Sequence, residues 1–183
     1  MSTARMPRAL TLIRHTTPAI AAGTCYGQMD VGLGAGFAQE AAKTLGWMEQ
    51  ADLILSSPLT RTATLAEYLA RAQGAELRFD GRLIEMHFGA WEGQAWDAIA
   101  RDELDAWSAD LMGYAPPGGE PASALMERTQ ALLEDIARLP YAHIALVAHA
   151  GPLRAILAHL AGIPLAQTLG WDLPFGTVIG ARY

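Results

Sequence analysis

The sequence has little that would support a disulfide scaffold or a polyanionic partner. Its one cysteine, Cys25, excludes an intramolecular disulfide and any multi-cysteine metal site. There is one lysine and no basic run, and 13 basic residues against 19 acidic ones give a formal net charge of −6. This acidic balance is unfavourable for nucleic acid and for an anionic membrane surface, so we expect neither as a partner.

Long apolar runs are also missing. A membrane span needs ~18 uninterrupted apolar residues, and the most apolar region of this chain contains His149 and Arg154. The first residues carry Arg5 and Arg8 without an apolar stretch long enough for a signal peptide. We therefore expect a cytoplasmic protein. The length of 183 residues and the 51% hydrophobic content favour a single domain over residues 1–183.

Strand patterns alternate with helix patterns along the chain. Apolar runs predict strands over residues 9–13, 52–56 and 143–148, with shorter extended segments at 77–79, 83–84 and within 169–183. Helical spacing predicts helices over 37–48, 58–73, 95–101, 103–111, 121–139 and 152–160. For the second of these, Ser57 before Pro58 predicts the N-terminus, and Gly74 predicts the stop. This alternation is typical of an α/β fold with a largely parallel sheet, in which ligands collect at the carboxyl ends of the strands.

Two residues directly after the first predicted strand, Arg14 and His15, are suited to phosphoryl chemistry. A neutral imidazole is available near pH 7 and can attack phosphorus. The neighbouring guanidinium offers planar donors for phosphate oxygens. The alternative is a chance dipeptide, which the pair taken alone does not exclude.

Two further candidates also follow predicted strands. Arg61 lies in the first helical turn after the second strand, and His149 lies at the end of the strand over 143–148. An arginine at a helix N-terminus is unfavourable with the helix dipole unless an anion binds there. The alternative is an exposed arginine in a surface salt bridge. His149 can donate to a phosphate oxygen, and its alternative is a histidine satisfied by neighbouring backbone.

Glu85 follows an apolar pair and precedes an aromatic, glycine-punctuated loop that ends with Glu92 and Gly93. Partial desolvation would raise the pKa of a carboxyl there and suit it to protonating a leaving oxygen. Glu92 competes for this role. For either residue the alternative is a solvated loop carboxylate.

These candidates together would supply a nucleophile, a clamp for an anion, a proton donor and a hydrogen-bond donor. Such a set suffices for phosphoryl transfer without a metal or a cofactor. A zinc site built from His15, His143 and His149 is the metal alternative. It lacks a cysteine and a His-Glu helix motif at ligand spacing, so we expect no metal.

Five motifs in order resemble the histidine phosphatase superfamily, also called the phosphoglycerate-mutase-like fold. They are LIRHTTP, SSPLTRT, LIEMHFGAWEG, PPGGE followed by Arg128, and VAHAGPLRAIL, and the resemblance runs from Leu10 to about Arg154. It implies a three-layer α/β/α sandwich with a mostly parallel central sheet. The expected partner is a small phosphorylated substrate.

The resemblance also implies roles for individual residues. His15 would be phosphorylated, and Glu85 would protonate the leaving group and later activate water. Arg14, Arg61 and His149 would hold the phosphoryl oxygens. The substrate-binding positions would be Thr17, Tyr26, Gly27 and Ala150.

Within the superfamily, the segment CYGQMDV (residues 25–31) resembles the alpha-ribazole phosphatase branch, which removes phosphate from a cobalamin precursor. Thr16, Thr17 and Ala21 depart from the family's usual residues, which puts substrate choice in doubt more than activity. Two alternatives stay open: a phosphoglycerate-mutase-type phosphotransferase, whose relatives are longer, and a catalytically impaired phosphate-binding protein.

The aromatic residues have two interpretations each. Tyr26, Phe88, Trp91 and Trp96 either line the substrate pocket or pack loops onto the core. Trp47 and Trp107 are assigned to the core or to an interface. A homodimer is kept as a hypothesis.

Overall fold

The computed structural model describes residues 9–183. Residues 1–8, which include Arg5 and Arg8, lie outside the described residues. The expectation that they contain no signal peptide therefore stays a prediction. The strands are β1 (Ala9–Arg14), β2 (Leu53–Ser56), β3 (Glu76–Phe79), β4 (His143–Ala148) and β5 (Val178–Arg182). The helices are α1 (Phe37–Trp47), α2 (Thr60–Gln73), α3 (Arg101–Ala109), α4 (Ala122–Ile136), α5 (Ala150–Ala161) and α6 (Leu165–Thr168). Short 3₁₀ turns span Gly81–Leu83, Gly89–Trp91 and Trp96–Ala98.

The five strands form one sheet in the order β3-β2-β4-β1-β5. β1, β2, β3 and β4 pair in parallel, and β5 runs antiparallel to β1 at one edge. The prediction of a mostly parallel sheet is therefore confirmed.

Side chains of the central strand β4 divide between two cores because successive side chains point to opposite faces of a sheet. Ile144 and Leu146 pack with residues of α4 and α5. Ala145 and Val147 pack with residues of α1 and α2. All six residues of β4 are buried, as expected for a strand covered by helices on both faces. The three-layer α/β/α architecture is thus confirmed.

The start of α2 differs from the prediction that Ser57 caps it and Pro58 opens it. Leu59 is extended and the helix begins at Thr60. The carboxylate of Asp30, from a distant loop, accepts from the Thr60 backbone N–H at 2.7 Å and from its hydroxyl at 2.8 Å. The first turn is therefore tied to the loop around Asp30. At the other end, the predicted stop at Gly74 is confirmed, because this residue takes the left-handed conformation with φ 65°.

Several other helix and strand boundaries differ from those that the local sequence pattern predicts. In the extended segment predicted over 83–84, Leu83 ends a 3₁₀ turn and Ile84 is extended. The helix predicted over 95–101 is reduced to a 3₁₀ turn. The last two long helices begin at Ala122 and Ala150 rather than at 121 and 152. The segment before the predicted extended tail contains the short helix α6, which sequence analysis did not anticipate.

Among residues 9–183, no helix is long and apolar enough to cross a membrane. The single domain over residues 1–183, the cytoplasmic location and the homodimer stay predictions.

Candidate active site

The register between β1 and β4 places two histidines side by side. Arg14 lies opposite Ala148 in the parallel ladder, and the backbone N–H of His15 donates to the Ala148 carbonyl at 3.0 Å. His15 and His149 therefore leave the sheet at the same edge. Their ring centroids are 5.1 Å apart.

His15 is held as a neutral imidazole with a defined tautomer. Its side chain is buried, with 1% of the residue exposed. Nδ1 lies 2.7 Å from the Thr16 carbonyl, which can only accept, so Nδ1 carries the proton and Nε2 keeps its lone pair. Burial, followed by the charges of Arg61 and Arg14, lowers the pKa of His15 to about 3.

His149 is also buried, and no part of it reaches solvent. Its Nε2 lies 2.8 Å from the Ser57 hydroxyl, while its buried Nδ1 has no partner. Burial, then the neighbouring His15, holds the pKa of His149 well below its usual 6.5. The interpretation of a ring satisfied by neighbouring backbone is wrong, because its contact is with a side chain and one nitrogen stays unpaired.

Arg61 is completely buried, so the interpretation as an exposed arginine in a surface salt bridge is wrong. Its guanidinium donates to the Gly27 and Met29 carbonyls, both at 2.7 Å, and it lies 5.0 Å from the centre of the Tyr26 ring. Its Nε is buried without a partner. A buried guanidinium with an unused donor is suited to an anion.

Arg14 approaches the same region from the end of β1. Its guanidinium lies 4.1 Å over the ring of Phe175, and Nη1 donates to the Leu173 carbonyl. Its Nε is also buried without a partner. Two cationic side chains, Arg14 and Arg61, thus flank His15 without a salt-bridge partner among the described residues.

Glu85 faces the start of α5. Its carboxylate accepts from the backbone N–H of Met86 at 2.9 Å and from that of Gly151 at 3.1 Å. Burial raises the pKa of the Glu85 carboxyl, although these two hydrogen bonds oppose the shift. The expectation of a desolvated carboxyl after the apolar pair is therefore confirmed.

The backbone that carries Glu85 is fixed by Arg128 on α4. The Arg128 guanidinium donates to the Ile84 carbonyl at 2.6 Å and to the Glu85 carbonyl at 3.1 Å. It also pairs with Glu120 at 2.9 Å, whose carboxylate accepts from the His87 backbone N–H. Arg128 and Glu120 of the PPGGE segment thus support the backbone that carries Glu85.

Glu92, the competing carboxylate, braces the loops instead. Its Oε1 accepts from the backbone N–H groups of Gln28 at 3.0 Å and Phe88 at 2.9 Å. Gly27 takes φ 36°, and a Cβ there would lie 2.3 Å from that oxygen. Only glycine suits this position, so Gly27 has a structural reason to be present.

The zinc alternative does not fit the geometry. His143 opens β4, at the other end of the strand from His149, and its Nε2 lies 2.7 Å from the Thr11 hydroxyl. Among residues 9–183, no group of three or more histidine, cysteine or acidic side chains could hold a metal ion.

A cavity of about 250 Å³ opens beside these residues. Arg14, Glu85 and Ala150 line it, together with Tyr26 and Gly27. The cavity thus brings the predicted positions at 26, 27 and 150 together with Arg14 and Glu85, whereas His15, Arg61 and His149 do not line it.

Thr17 has a different position from the other predicted substrate-binding residues. Its side chain is exposed, and its backbone N–H donates to Glu40 at 2.8 Å. It lines a separate cavity of about 220 Å³ that also contacts Tyr26 and Phe175.

The structure separates the aromatic residues that line the cavity from those that do not, which the sequence pattern leaves open. Phe88 and Trp96 line the larger cavity, whereas Trp91 is buried at 1% exposure and does not. Trp107 also lines the cavity, so its assignment to core or interface alone is incomplete. Trp47 is 68% exposed, which excludes a core position.

The sequence pattern does not identify two residues of this region. It predicts Ser57 as a helix cap, whereas the Ser57 hydroxyl contacts His149. Arg154 lines the cavity and donates to the Trp171 carbonyl at 2.9 Å. Its position five residues after His149, on the same motif, was the available signal.

A parallel sheet with buried cationic and imidazole groups at its carboxyl edge is an α/β site suited to an anionic ligand. Residues 10–182 match the family model of the histidine phosphatase superfamily, branch 1. The chain belongs to this superfamily.

Relatives with phosphatase names support its classification as a phosphatase. Glucosyl-3-phosphoglycerate phosphatase of Mycobacterium tuberculosis is 34% identical over 176 residues, which cover 87% of this chain and 78% of the relative. A Salmonella paratyphi B protein, named provisionally as a phosphoglycerate mutase, is 32% identical over 130 residues. That match covers 68% of this chain and 58% of the Salmonella protein. A further match spans 62% of a Hydrogenobacter thermophilus relative with phosphoserine phosphatase in its name.

Solved structures agree with the fold. The native structure of a mycobacterial glucosyl-3-phosphoglycerate phosphatase aligns with a TM-score of 0.85 at 27% identity, covering 96% of this chain and 90% of that one. The alpha-ribazole phosphatase of Shigella flexneri aligns with a TM-score of 0.84 at 25% identity, covering 94% and 89%.

The pKa of His15 predicts a defined loss of stability in acid. The folded state keeps His15 neutral down to about pH 3, whereas the unfolded chain protonates it near pH 6.5. Its contribution is therefore complete above pH 6.5 and is lost as the pH falls from 6.5 towards 3. Relative to His15→Gln, the free energy of unfolding of the wild type should fall by about 1.4 kcal/mol per pH unit in this window.

Urea unfolding of both proteins at pH 7, 5.5 and 4 measures this difference. His159→Gln, at an exposed position near the end of α5, controls for the loss of a histidine as such. Parallel pH dependences for wild type and His15→Gln would show that His15 is not held neutral.

Proposed function

We propose that the protein is a metal-independent phosphomonoesterase that acts through a phosphohistidine on His15. The observation that carries this proposal is the state of His15: neutral, with a free Nε2 lone pair, next to His149 and flanked by the guanidinium groups of Arg14 and Arg61. The neutral imidazole, with its lone pair free on one nitrogen, is the form that attacks phosphorus.

In the first step, Nε2 of His15 forms a bond to phosphorus while the bond to the leaving oxygen breaks. Arg14 and Arg61 stabilise the charge on the phosphoryl oxygens, a task that a metal ion performs in other phosphoryl-transfer sites. Ser57 donates to Nε2 of His149, which leaves the proton on Nδ1. That unpaired N–H then donates to a phosphoryl oxygen.

Glu85 supplies the proton that the leaving oxygen needs. Its raised pKa keeps a protonated fraction available at a higher pH than an exposed carboxyl would. After the alcohol leaves, the Glu85 carboxylate takes a proton from water. That water attacks phosphorus, the bond to Nε2 breaks, and free His15 and inorganic phosphate result.

Access to His15 requires a local rearrangement. The ring is 1% exposed, with Tyr26 at 6.4 Å and Phe175 at 5.3 Å between centroids. An entering phosphoryl group must displace one of these rings. Arg14 would then exchange its contact with the Leu173 carbonyl for the phosphoryl oxygens.

The departures from the usual family residues are compatible with activity. Thr16 is buried, and it is the Thr16 carbonyl, which any residue provides, that orients His15. Ala21 is exposed. These positions therefore do not favour a catalytically impaired phosphate-binding protein over an active enzyme.

The proposed substrate is a small phosphorylated metabolite, with alpha-ribazole phosphate as the first compound to assay. The segment around Tyr26 and the similarity to the Shigella flexneri structure support it. The Salmonella relative supports phosphoglycerate mutase activity as the second candidate. Phosphorus NMR separates the two, because a phosphatase releases inorganic phosphate and a mutase forms a positional isomer.

The proposed mechanism makes His15 the nucleophile and requires no metal ion. Purified enzyme should hydrolyse p-nitrophenyl phosphate at the same rate with and without EDTA. His15→Ala should lower kcat/KM by about 10⁴-fold or more, as expected when a nucleophile is removed. His159→Ala is the matched control. Activity that persists in His15→Ala would overturn the phosphohistidine mechanism.

The proposed mechanism makes Glu85 the acid that protonates the leaving oxygen. Glu85→Gln should lower kcat/KM for benzyl phosphate, a poor leaving group, by about 10²–10⁴-fold, and for p-nitrophenyl phosphate much less. With benzyl phosphate, the wild-type kcat/KM should fall as the pH rises through the Glu85 pKa, because the carboxyl loses its proton.

This alkaline fall should be missing in Glu85→Gln. Glu92→Gln tests the competing carboxylate and should not reproduce the dependence on the leaving group. Equal slowing of both substrates by Glu85→Gln would contradict the acid role.

A further inference from the structure

The cavity beside the candidate active site has a polar end and an apolar wall. Arg14, Glu85 and Gly151 line the polar end. The wall consists of apolar side chains from four different parts of the chain: Phe88, Trp96, Trp107, Leu111, Leu125 and Leu165. Two of its rings, Trp96 and Trp107, stack with their centroids 6.2 Å apart at 27°. A phosphate ester bound at the polar end would place its alcohol part against this wall.

Trp107, which lines the cavity, also has a polar group without a partner. Its Nε1 is buried and has no hydrogen-bond partner. The neighbouring Trp91, by contrast, donates its Nε1–H to Glu103 at 2.5 Å. A buried donor without an acceptor is costly, and a ligand acceptor in the cavity would satisfy it.

The charged side chains that line the cavity either already donate to backbone carbonyls or lie at its phosphoryl end. Arg154 lines the cavity, but its Nη1 donates to the Thr168 carbonyl and its Nη2 to the Trp171 carbonyl. Cys25 also lines it, and burial raises the pKa of its thiol to about 12, so the thiol stays protonated. The remaining charged lining residues, Arg14 and Glu85, lie at the phosphoryl end.

We propose that the apolar wall is the leaving-group subsite, and that it selects monoesters of uncharged, largely apolar alcohols with a hydrogen-bond acceptor for the Trp107 indole N–H. Trp107 is then a specificity-determining residue. This rests on the proposed function, because the subsite is defined relative to the phosphoryl group on His15. Flat aromatic groups suit it best, since they can stack on Trp96 and Trp107.

Matched primary alkyl phosphates test the subsite. Naphthylmethyl phosphate should exceed glycerol 3-phosphate and 3-phosphoglycerate in kcat/KM by about tenfold or more, because apolar surface is buried only for the first. Quinolinylmethyl phosphates with the nitrogen at successive ring positions add an acceptor to nearly the same shape. At least one of them should exceed naphthylmethyl phosphate by about fivefold.

Trp107→Phe keeps an aromatic ring and removes the N–H. It should abolish the preference for the quinolinyl ester over the naphthyl ester while leaving the naphthyl ester a substrate. Trp47→Phe, at a position 68% exposed and outside this cavity, is the matched control and should keep both preferences. A preference for 3-phosphoglycerate over naphthylmethyl phosphate would overturn the apolar subsite. A quinolinyl preference that survives in Trp107→Phe, or none in the wild type, would overturn the role of the indole.

A binding measurement distinguishes a wrong subsite proposal from a wrong proposal of phosphomonoesterase activity. If no ester is hydrolysed, the phosphomonoesterase proposal fails, and calorimetry with phosphonates still tests the wall. Naphthylmethylphosphonate should then bind about tenfold or more tightly than methylphosphonate and 3-phosphonopropionate. Equal affinities would overturn the subsite whether or not the enzyme turns over.

Discussion

The parallel pairing of β1 with β4 is the contact on which the site depends. Because Arg14 lies opposite Ala148, the residues after both strands, His15 and His149, meet at one sheet edge with their rings 5.1 Å apart. A slip of one residue would send a histidine to the other face of the sheet. The apolar layers on both sides fix the register, and their burial keeps both imidazoles neutral.

Electrostatics at this edge oppose the overall charge of the chain. The formal net charge is −6, yet within residues 9–183 Arg14 and Arg61 flank the histidines without a salt bridge to an acidic side chain. Arg61 is held by backbone carbonyls of the loop that Asp30 ties to α2. Carbonyl dipoles hold this cation without neutralising it, so its charge stays available to a phosphoryl group. Glu85 provides the one carboxyl that the proposed reaction needs.

The parts of the fold that sequence predicted well are those in which local pattern and burial agree. β4 is a continuous apolar run because helices cover both faces, and His149 follows it directly. The sequence pattern predicts the wrong role for Ser57, because the contacts of this residue depend on how the strands pair. Its hydroxyl contacts His149. The carboxylate of Asp30 accepts from Thr60 at the start of α2 instead. Trp107 could not be placed for a similar reason. Helix α3 has no buried residue, so its pattern does not show that one ring lines a cavity formed with distant loops.

The central claim, that phosphate passes through His15, is tested most directly by trapping the phosphoenzyme. Glu85→Gln mixed with p-nitrophenyl phosphate should accumulate it, because the good leaving group departs without an acid while activation of water is slowed. After an alkaline quench, peptide mapping by mass spectrometry should find acid-labile phosphate on His15. Phosphate on another side chain, or continued release of p-nitrophenol with no phosphopeptide, would contradict the account.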